Sequence, residues 1–404
     1  MIDGSVPTLE WSFPESNAAQ SYATHGFFRY FGKLPPTVTG KIIDHVRPNL
    51  EGPVLDIMCG SGTTLVECCL RGLESYGIDV NPLAVLISRV KSRFFNPTQL
   101  RHAANRIVAA IGEELAHRPV ANPHRHRRGQ LGFEFGKMDL TGSSVLPDPQ
   151  IKNLNYWFSE EIRSELAVIF SHVNRVRDDN ERNFFKVAAL SIVRKVSNAS
   201  PRIGRIFHRG EYEGPSAFSR FKKKIDEMTI GAAEFAKAAK VASSGCLVAD
   251  ARRTPFPAGV FGLVVCHPPY FALYKYSSDV LRFELEWGGF NRRAIARSEI
   301  ADGFKSTDIS MFDDYIGDMK DVLRECQRVL HKKGWLCVVT NNSTFKDERL
   351  PVVERIVKAG CADGVGLKLH QICRRKVRFA QATYHRSARV DKVTTEDQMI
   401  FFRR

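Results

Sequence analysis

The amino-acid sequence predicts an α/β domain built on a doubly wound, mainly parallel sheet. Two consecutive segments, "GPVLDIMCGSGTTLVECCLRG" (52–72) and "SYGIDVNPLAVLISRVKSRFF" (75–95), each have the pattern of a strand, a turn and a helix. Two such units in a row indicate neighbouring parallel strands. Strand patterns resume at residue 246. The segment between, residues 98–245, is rich in helical patterns and poor in strand patterns, which predicts a large, mostly helical insertion.

The two ends of the sheet-bearing part are less regular. Residues 1–24 are predicted as a loose N-terminal arm, so that the sheet-bearing domain comprises residues 25–97 and 246–404. Proline residues lead into the segment "LPPTVTGKIIDHV", which is predicted as an amphipathic helix. Later strands are predicted at "CLVADARRTPF", "GLVVCHPPYF" and "WLCVVTNNS", with the helix "MFDDYIGDMKDVLRECQRVLHKKG" before the last of these. The closing strands, which we expect to include an antiparallel hairpin at the sheet edge, are "LKLHQICRRKV", "ATYHRSA" and "QMIFFRR".

Composition narrows the class of protein. The chain has 404 residues, 43% of them hydrophobic, and a formal net charge of +15, which favours an anionic partner such as nucleic acid. None of the nine cysteines forms a Cys-x-x-Cys pair, so we interpret them as reduced core thiols. The polar N-terminus does not resemble a signal peptide, and no apolar run reaches the roughly 18 residues of a membrane span. A soluble cytoplasmic protein with no membrane partner is therefore expected.

Three basic clusters lie in the insertion. They are "HRHRR" (124–128), "RKVSNASPRIGRIFHRG" (194–210) and "FKKK" (221–224). A single charge run is more often a solvated face, but three in one insertion predict a nucleic-acid surface. The residues that we assign to that surface are Arg194, Lys195, Arg202, Arg205, Arg209, Lys222 and Lys223.

A glycine turn and three strand-end acids predict a ligand site. Gly60 and Gly62 follow the strand that ends at Asp56, and Asp79 and Asp250 end later strands. Carboxyl ends of parallel strands meet at one edge of the sheet, where open α/β folds bind ligands. There Asp79 can accept from ribose hydroxyls and Asp250 from the amino group of an adenine. The alternative is that each acid caps the helix that follows it.

The glycine turn does not match a dinucleotide site. A Gly-x-Gly-x-x-Gly fingerprint would need a third glycine at position 65, which is Leu65. A dinucleotide-dependent oxidoreductase is therefore disfavoured.

The segment "CHPPYF" (266–271) forms a stiff corner after a buried strand. Its prolines restrict the backbone, so carbonyl groups there point in fixed directions. The carbonyl of Pro268 and the side chain of His267 can accept both hydrogens of an exocyclic base amine, which favours its nucleophilic form. Tyr270 offers a flat face on which a flipped base can stack. The alternative is a proline-stiffened strand end with packed aromatic rings.

Taken together, these motifs resemble the S-adenosylmethionine-dependent amino-methyltransferases of DNA, which modify cytosine N4 or adenine N6. "VLDIMCGSGTTL" is similar to their cofactor loop, "GIDVNP" and "ADAR" to their ribose and adenine turns, and "CHPPYF" to their catalytic (S/D/N)PPY tetrapeptide. In the bacterial branch whose tetrapeptide is Ser-Pro-Pro-Tyr, "THGFFRYFGKLPPTVTGKII" is similar to the segment that closes over the methionine part, and "PPYFALYKYSSDVLRFELEWGG" to the segment that follows the tetrapeptide. The likeness covers residues 25–95 and 246–404.

The resemblance implies a Rossmann-like methyltransferase fold with a seven-stranded sheet, and it implies roles for individual residues. The catalytic corner would consist of His267, Pro268, Pro269 and Tyr270. The cofactor-binding residues would be Asp56, Cys59, Gly60, Gly62, Thr63, Asp79, Val80, Asp250 and Ala251. Phe256 is either a purine contact or a core residue, and Lys33 either closes the cofactor site or lies at the surface.

Two departures from the family pattern matter. His267 replaces the usual Ser, Asp or Asn, although the surroundings favour cytosine N4 over adenine N6. The insertion lies between the ribose and adenine turns, whereas the family usually places its target-recognition region elsewhere. That the insertion recognises the target is therefore a hypothesis. Cytosine C5 methylation is excluded because the chain has no Pro-Cys dipeptide.

The expected partner is double-stranded DNA, contacted by the insertion and by the loop 298–311, and the resemblance adds a cognate restriction endonuclease. An RNA amino-methyltransferase and a DNA-binding protein without turnover are the alternatives.

Overall fold

The computed structural model describes residues 6–13, 20–117, 149–201, 204–240, 244–271, 276–300, 310–345, 348–376 and 396–404. The strands are β1 (Thr8–Trp11), β2 (Val54–Asp56), β3 (Ser75–Asp79), β4 (Gly245–Val248), β5 (Phe261–Cys266), β6 (Leu330–Thr340), β7 (Ser343–Phe345), β8 (Glu348–Leu350), β9 (Lys368–Lys376) and β10 (Glu396–Arg403). The helices are α1 (Pro36–Val46), α2 (Thr63–Arg71), α3 (Pro82–Lys91), α4 (Pro97–Ala116), α5 (Leu154–Trp157), α6 (Glu160–Asn174), α7 (Asp179–Val193), α8 (Ala217–Ala238), α9 (Arg282–Trp287), α10 (Arg292–Ser298), α11 (Ser310–Val329) and α12 (Val352–Cys361).

One large sheet organises the molecule, with the strand order β1-β9-β10-β6-β5-β2-β3-β4. Strand β10 runs antiparallel to both of its neighbours, and the other pairings in this sheet are parallel. The predicted doubly wound, mainly parallel α/β fold is confirmed. The strand order reverses between β2 and β5, which makes their carboxyl ends the topological switch point of the sheet.

The sheet has eight strands rather than seven because part of the predicted arm is ordered. Strand β1 pairs in parallel with β9, and Trp11 at its end is buried against Phe401. Leu9, Trp11 and Phe13 alternate with polar residues, which is a strand pattern, but the pattern is short and lies between Pro7 and Pro14. The strand predicted at "ATYHRSA" (382–388) lies outside the described residues.

Helices cover both faces of the sheet. Val54, Leu263 and Val265 pack against α1 on one face, and Leu55 and Val264 belong to the cluster that α11 and α12 build on the other. Alternate residues of a strand point to opposite faces, which explains why β2 and β5 are buried along their whole length.

The helices of the insertion do not form a separate core. Residues of α4, α6, α7 and α8 share one buried cluster with α3 of the second βα unit and with α9. These four helices therefore pack directly on the sheet-bearing part, next to the described residues that follow the 266–271 corner. Its exact limits as a domain stay a prediction.

Among the described residues, no helix combines the length and the apolar character that crossing a membrane would require.

Candidate active site

The glycine turn brings the start of α2 close to α3. Gly60 and Gly62 have φ angles of 50° and 74°, in the left-handed region that side chains with a Cβ rarely adopt. A Cβ on Gly62 would lie 2.8 Å from the Cα of Ser88, so a larger residue would push α3 away. Leu65, which replaces the third glycine of a dinucleotide site, is buried against Val85. The turn is thus built for close backbone approach without a dinucleotide fingerprint.

Asp79 holds this turn in place. One carboxylate oxygen accepts from the backbone N–H of Gly60 at 2.9 Å, and the other accepts from that of Asn81 at 2.8 Å. Burial raises the pKa of Asp79 to about 6. Each carboxylate oxygen can still accept a second hydrogen bond, so the side chain could bind ligand hydroxyls while it supports the loop.

Asp56 adds a buried carboxylate at the same edge as the half-buried Asp79. Its side chain accepts from the backbone N–H of Met58 at 3.2 Å, and burial, with a contribution from Asp79, raises its pKa to about 6. Two carboxylates at one edge make this region favourable for a cation, such as a sulfonium or an ammonium group.

The opposite side of the turn offers donors. The hydroxyl oxygens of Ser61 and Thr63 are buried and have no hydrogen-bond partner among the described residues. The N-cap of α2 is Gly62, which offers no capping side chain, so the first N–H groups of the helix are available to an anion. Carboxylates on one side and donors on the other fit the amino-acid end of S-adenosylmethionine and its ribose.

Other residues assigned to the cofactor differ in what they can contribute. The thiol of Cys59 lies 3.7 Å from that of Cys246 in the interior, its N–H donates to the carbonyl of Ile78 and its carbonyl accepts from Gly62, so Cys59 shapes the turn. Ala251 is buried and Val80 is half-buried. Phe256 packs on Tyr76 and Phe261, at the amino ends of their strands, so of its two predicted roles the core role fits.

Asp250 is already engaged. Its carboxylate accepts from the guanidinium of Arg252 at 2.7 Å, and Arg252 also donates to Asp318 at 2.8 Å. Burial raises the pKa of Asp250, but the hydrogen bonds from Arg252 outweigh it and the net pKa is lowered. An adenine would have to share this carboxylate with Arg252. The two residues are two positions apart, but the sequence does not show that their side chains are hydrogen-bonded.

Two residues that the sequence pattern did not single out, Tyr30 and Lys91, lie at the glycine turn, and the predicted Lys33 lies in the segment before it. The ring of Tyr30 lies beside Gly60 and stacks on Tyr276 with 5.8 Å between ring centroids. Lys91 is fully buried and donates to the carbonyl of Ser61 at 2.7 Å, and burial lowers its pKa well below the usual value. Lys33 is half-buried and donates to the carbonyl of His25 at 3.3 Å, so it lies inward rather than at the surface.

The corner at residues 266–271 lies directly beside this turn. Asp56 at the end of β2 is in register with Val265 of β5, one residue before the strand ends. The ring of His267 approaches Tyr270 edge-on, and its Nε2 lies 3.3 Å from the tyrosine oxygen. Burial, with a contribution from Arg375, lowers the pKa of His267 to about 4. The imidazole is therefore neutral near pH 7 and able to accept a hydrogen bond.

The basic residues of the insertion fall into two groups. Arg205, Arg209, Lys222 and Lys223 are exposed, whereas Lys195 is half-buried. Arg202 and residues 301–309 of the predicted contact loop lie outside the described residues.

Arg194 corrects the sequence-based assignment to a DNA surface. It is 4% exposed, and its guanidinium donates to the carbonyls of Ser200, Gly204, Arg205 and Val280. A charge run does not reveal which of its side chains points inward. Arg194 instead ties the basic loop to the π-helical turn Tyr276–Val280 that follows the corner.

We expect Arg194→Ala to lower the free energy of unfolding by about 3 kcal/mol, since several buried carbonyls lose a charged donor. Urea unfolding followed by circular dichroism measures this change. The exposed Lys223→Ala should stay within about 0.5 kcal/mol of wild type. If Arg194→Ala unfolded like the wild type but bound DNA more weakly, Arg194 would belong to the DNA-binding surface after all.

Sequence comparison relates parts of this chain to two type II methyltransferases. No family model matches the chain. Over 219 residues the chain is 26% identical to the type II methyltransferase M.MvaI of Kocuria varians. The aligned region covers 52% of this chain and 44% of that protein. Over 96 residues it is 35% identical to the type II methyltransferase M.MjaII of Methanocaldococcus jannaschii, covering 23% of this chain and 18% of that protein. The chain thus spans less than half the length of either relative.

Solved structures resemble the chain weakly. A SAM-dependent methyltransferase from Methanosarcina mazei matches 89% of this chain and 96% of its own, with 9% identity and a TM-score of 0.33. A proposed DNA modification methylase of Thermus thermophilus, in complex with S-adenosyl-L-methionine, matches 39% of this chain and 54% of its own, with 16% identity and a TM-score of 0.26. It is the sequence comparison that links about half of this chain to a type II methyltransferase.

Proposed function

We propose that this protein is an S-adenosylmethionine-dependent DNA methyltransferase that modifies an exocyclic amine, cytosine N4 rather than adenine N6. One observation carries the proposal. The glycine turn with its carboxylates and the His-Pro-Pro-Tyr corner follow adjacent strands, β2 and β5, at the switch point of the sheet. A methyl donor and an acceptor base can therefore meet there.

The residues of the turn would hold the cofactor. The carboxylate of Asp79 would accept from the ribose hydroxyls, and the N–H groups and hydroxyls at the start of α2 would bind the methionine carboxylate. Asp56 would balance the positive charge of the methionine end. When bound, the cofactor supplies an electrophilic methyl group on a sulfonium.

The corner would orient the base. His267 and the carbonyl of Pro268 would accept the two amine hydrogens and keep the nitrogen lone pair aimed at the methyl group, and Tyr270 would stack on the ring. The amine attacks in line without a covalent enzyme intermediate. The choice of cytosine N4 rests on the likeness of the corner and its surroundings to the Ser-Pro-Pro-Tyr branch.

The exposed cations of the insertion would contact duplex DNA. The loop that carries Arg205 and Arg209 is bound to the segment after the corner, because the N–H of Ile206 donates to Asp279 at 3.1 Å. Two exposed aromatic rings, Tyr156 and Phe207, accompany these cations. Phosphate contacts beside the site would bring a flipped base to the corner.

Salt dependence tests this surface. We expect the double variant Lys222→Ala/Lys223→Ala to reduce the slope of log affinity against log salt by about 1 for each lost phosphate contact. The matched control is Lys332→Ala/Lys333→Ala, two consecutive exposed lysines at the amino end of β6, far along the strand from the site. Equal slopes for both double variants and wild type would exclude Lys222 and Lys223 from the DNA contact.

Product analysis tests the reaction itself. Duplex DNA and total RNA are incubated separately with the protein and labelled S-adenosylmethionine, and their nucleosides are resolved by mass spectrometry. We expect N4-methylcytosine in DNA. N6-methyladenine would change the target base, label in RNA alone would support the RNA amino-methyltransferase, and DNA binding without label would support a protein that has lost turnover. A cytoplasmic location and a cognate restriction endonuclease stay predictions.

A further inference from the structure

A chain of hydrogen bonds leads from the corner to β10, two strands away at the same edge of the sheet. Nε2 of His267 lies 3.3 Å from the hydroxyl oxygen of Tyr270, and that hydroxyl donates to Oδ1 of Asp397 at 3.1 Å. Asp397 belongs to β10, 127 residues away from Tyr270 in the sequence. Neither Asp397 nor its neighbour Arg375 belongs to any motif of the corner.

Arg375 keeps Asp397 in place. The two residues are directly opposite each other in the antiparallel pair of β9 and β10, and the guanidinium lies 3.6 Å from the second carboxylate oxygen. Burial raises the pKa of Asp397 above its usual value, and Arg375 and the hydrogen bond from Tyr270 limit that rise. The guanidinium at 3.6 Å is the group that favours the ionised carboxylate.

The direction of each bond then follows. An ionised carboxylate can only accept, so the single hydroxyl proton of Tyr270 goes to Asp397. The tyrosine oxygen turns its lone pairs towards His267 and accepts from Nε2, which must carry a proton. A neutral imidazole has one ring proton, and Nδ1 is left as an acceptor.

We propose that Asp397 is a positioning residue that, through Tyr270, fixes His267 in the Nε2–H tautomer and leaves Nδ1 to accept a proton of the target amine. This inference rests on the proposed function. In the transfer step the amine lone pair forms the N–C bond, and the electron pair of the C–S bond stays on sulfur. The surplus amine proton passes to Nδ1, and the imidazolium later releases it to water.

The relay explains how histidine can occupy a position where Ser, Asp or Asn is usual. A free imidazole presents either nitrogen as donor or acceptor, and the wrong tautomer would point an N–H at the amine. The Tyr270–Asp397 contact removes that ambiguity. It also stabilises the imidazolium, since the carboxylate is joined to it through one hydroxyl.

Nitrogen NMR tests the tautomer on the protein alone. Long-range ¹H–¹⁵N spectra of ¹⁵N-histidine-labelled protein distinguish protonated from unprotonated ring nitrogens, and the signals of His267 among the 12 histidines are those lost in His267→Gln. We expect the Nε2–H form in wild type. If the wild-type protein showed the Nδ1–H form, or an equal mixture of the two forms, the proposal would be wrong.

Variants of Asp397 distinguish a role in positioning His267 from a role in stabilising the fold. In Asp397→Leu the Tyr270 hydroxyl is free to donate to Nε2, so the Nδ1–H tautomer should appear and kcat should fall about 10- to 100-fold with little change in KM for DNA. Asp397→Asn keeps an acceptor oxygen and should restore the Nε2–H form. Glu396→Gln, which removes a carboxylate from the adjacent position of the same strand, should behave as wild type. An unchanged tautomer in a folded Asp397→Leu would refute the relay, whereas a correct tautomer with no methyl transfer to any nucleic acid would refute the proposed function alone.

Discussion

Replacing Asp79 with alanine should weaken binding of S-adenosylmethionine by about 100-fold or more. The carboxylate accepts from Gly60 and Asn81 and is the candidate acceptor for the ribose hydroxyls. Hydrogen bonds to a charged group contribute roughly 1.5–3 kcal/mol each, and every 1.4 kcal/mol changes affinity about tenfold. Isothermal titration calorimetry with the cofactor, or with its non-reactive analogue sinefungin, measures the dissociation constant.

Asp250→Ala is the matched control for this prediction. Its carboxylate already accepts from Arg252, and it supports no loop N–H of the glycine turn, so we expect a smaller loss of affinity. A larger effect at position 250 than at position 79 would mean that the cofactor is not anchored through its ribose at β3.

The same prediction has a pH dependence. The pKa of Asp79 and that of Asp56 are both raised to about 6 by burial, so the site loses negative charge as pH falls through this value. Binding of the cationic cofactor should therefore weaken below about pH 6 in wild type. Thermal unfolding at each pH separates lost binding from lost folding, and an affinity constant from pH 8 to pH 5 would contradict the role of these carboxylates.

The sequence predicted the sheet and the edge where its motifs meet because both depend on local patterns. A strand, a glycine turn and a helix leave a signature within about twenty residues, and parallel strands bring all such turns to one edge. Asp56, Asp79 and His267 lie at that edge for this reason.

The rest depends on contacts between distant residues, which a local pattern cannot report. The basic run at 194–210 contains both the buried Arg194 and the exposed Arg209, and only the packing of α7 separates their roles. Asp397 reaches Tyr270 from another strand. Lys91 has the sequence environment of a surface lysine on an amphipathic helix, yet it points beneath the glycine turn.

Replacing His267 with alanine should lower kcat at least about 100-fold and leave the affinities for cofactor and DNA nearly unchanged. The side chain is proposed to accept from an amine whose charge changes only as the new bond forms, so its loss affects the transition state more than either bound ground state. Single-turnover transfer of labelled methyl groups gives the chemical rate, and fluorescence anisotropy gives DNA affinity. The half-buried His331→Ala, at the amino end of β6, is the control for removal of a histidine.

Substitution of His267 by serine or asparagine then tests what the imidazole contributes. Both side chains keep an acceptor oxygen, but neither can hold a proton that leaves the amine at neutral pH and pass it to water. We expect rates between those of the wild type and His267→Ala. If wild type transferred no methyl group while His267→Ser did, histidine would be the cause of lost turnover, and the protein would be a DNA-binding relative of the methyltransferases instead of an enzyme. Intermediate rates, with wild type fastest, would show that the His267–Tyr270–Asp397 contact turns an unusual residue into an effective acceptor.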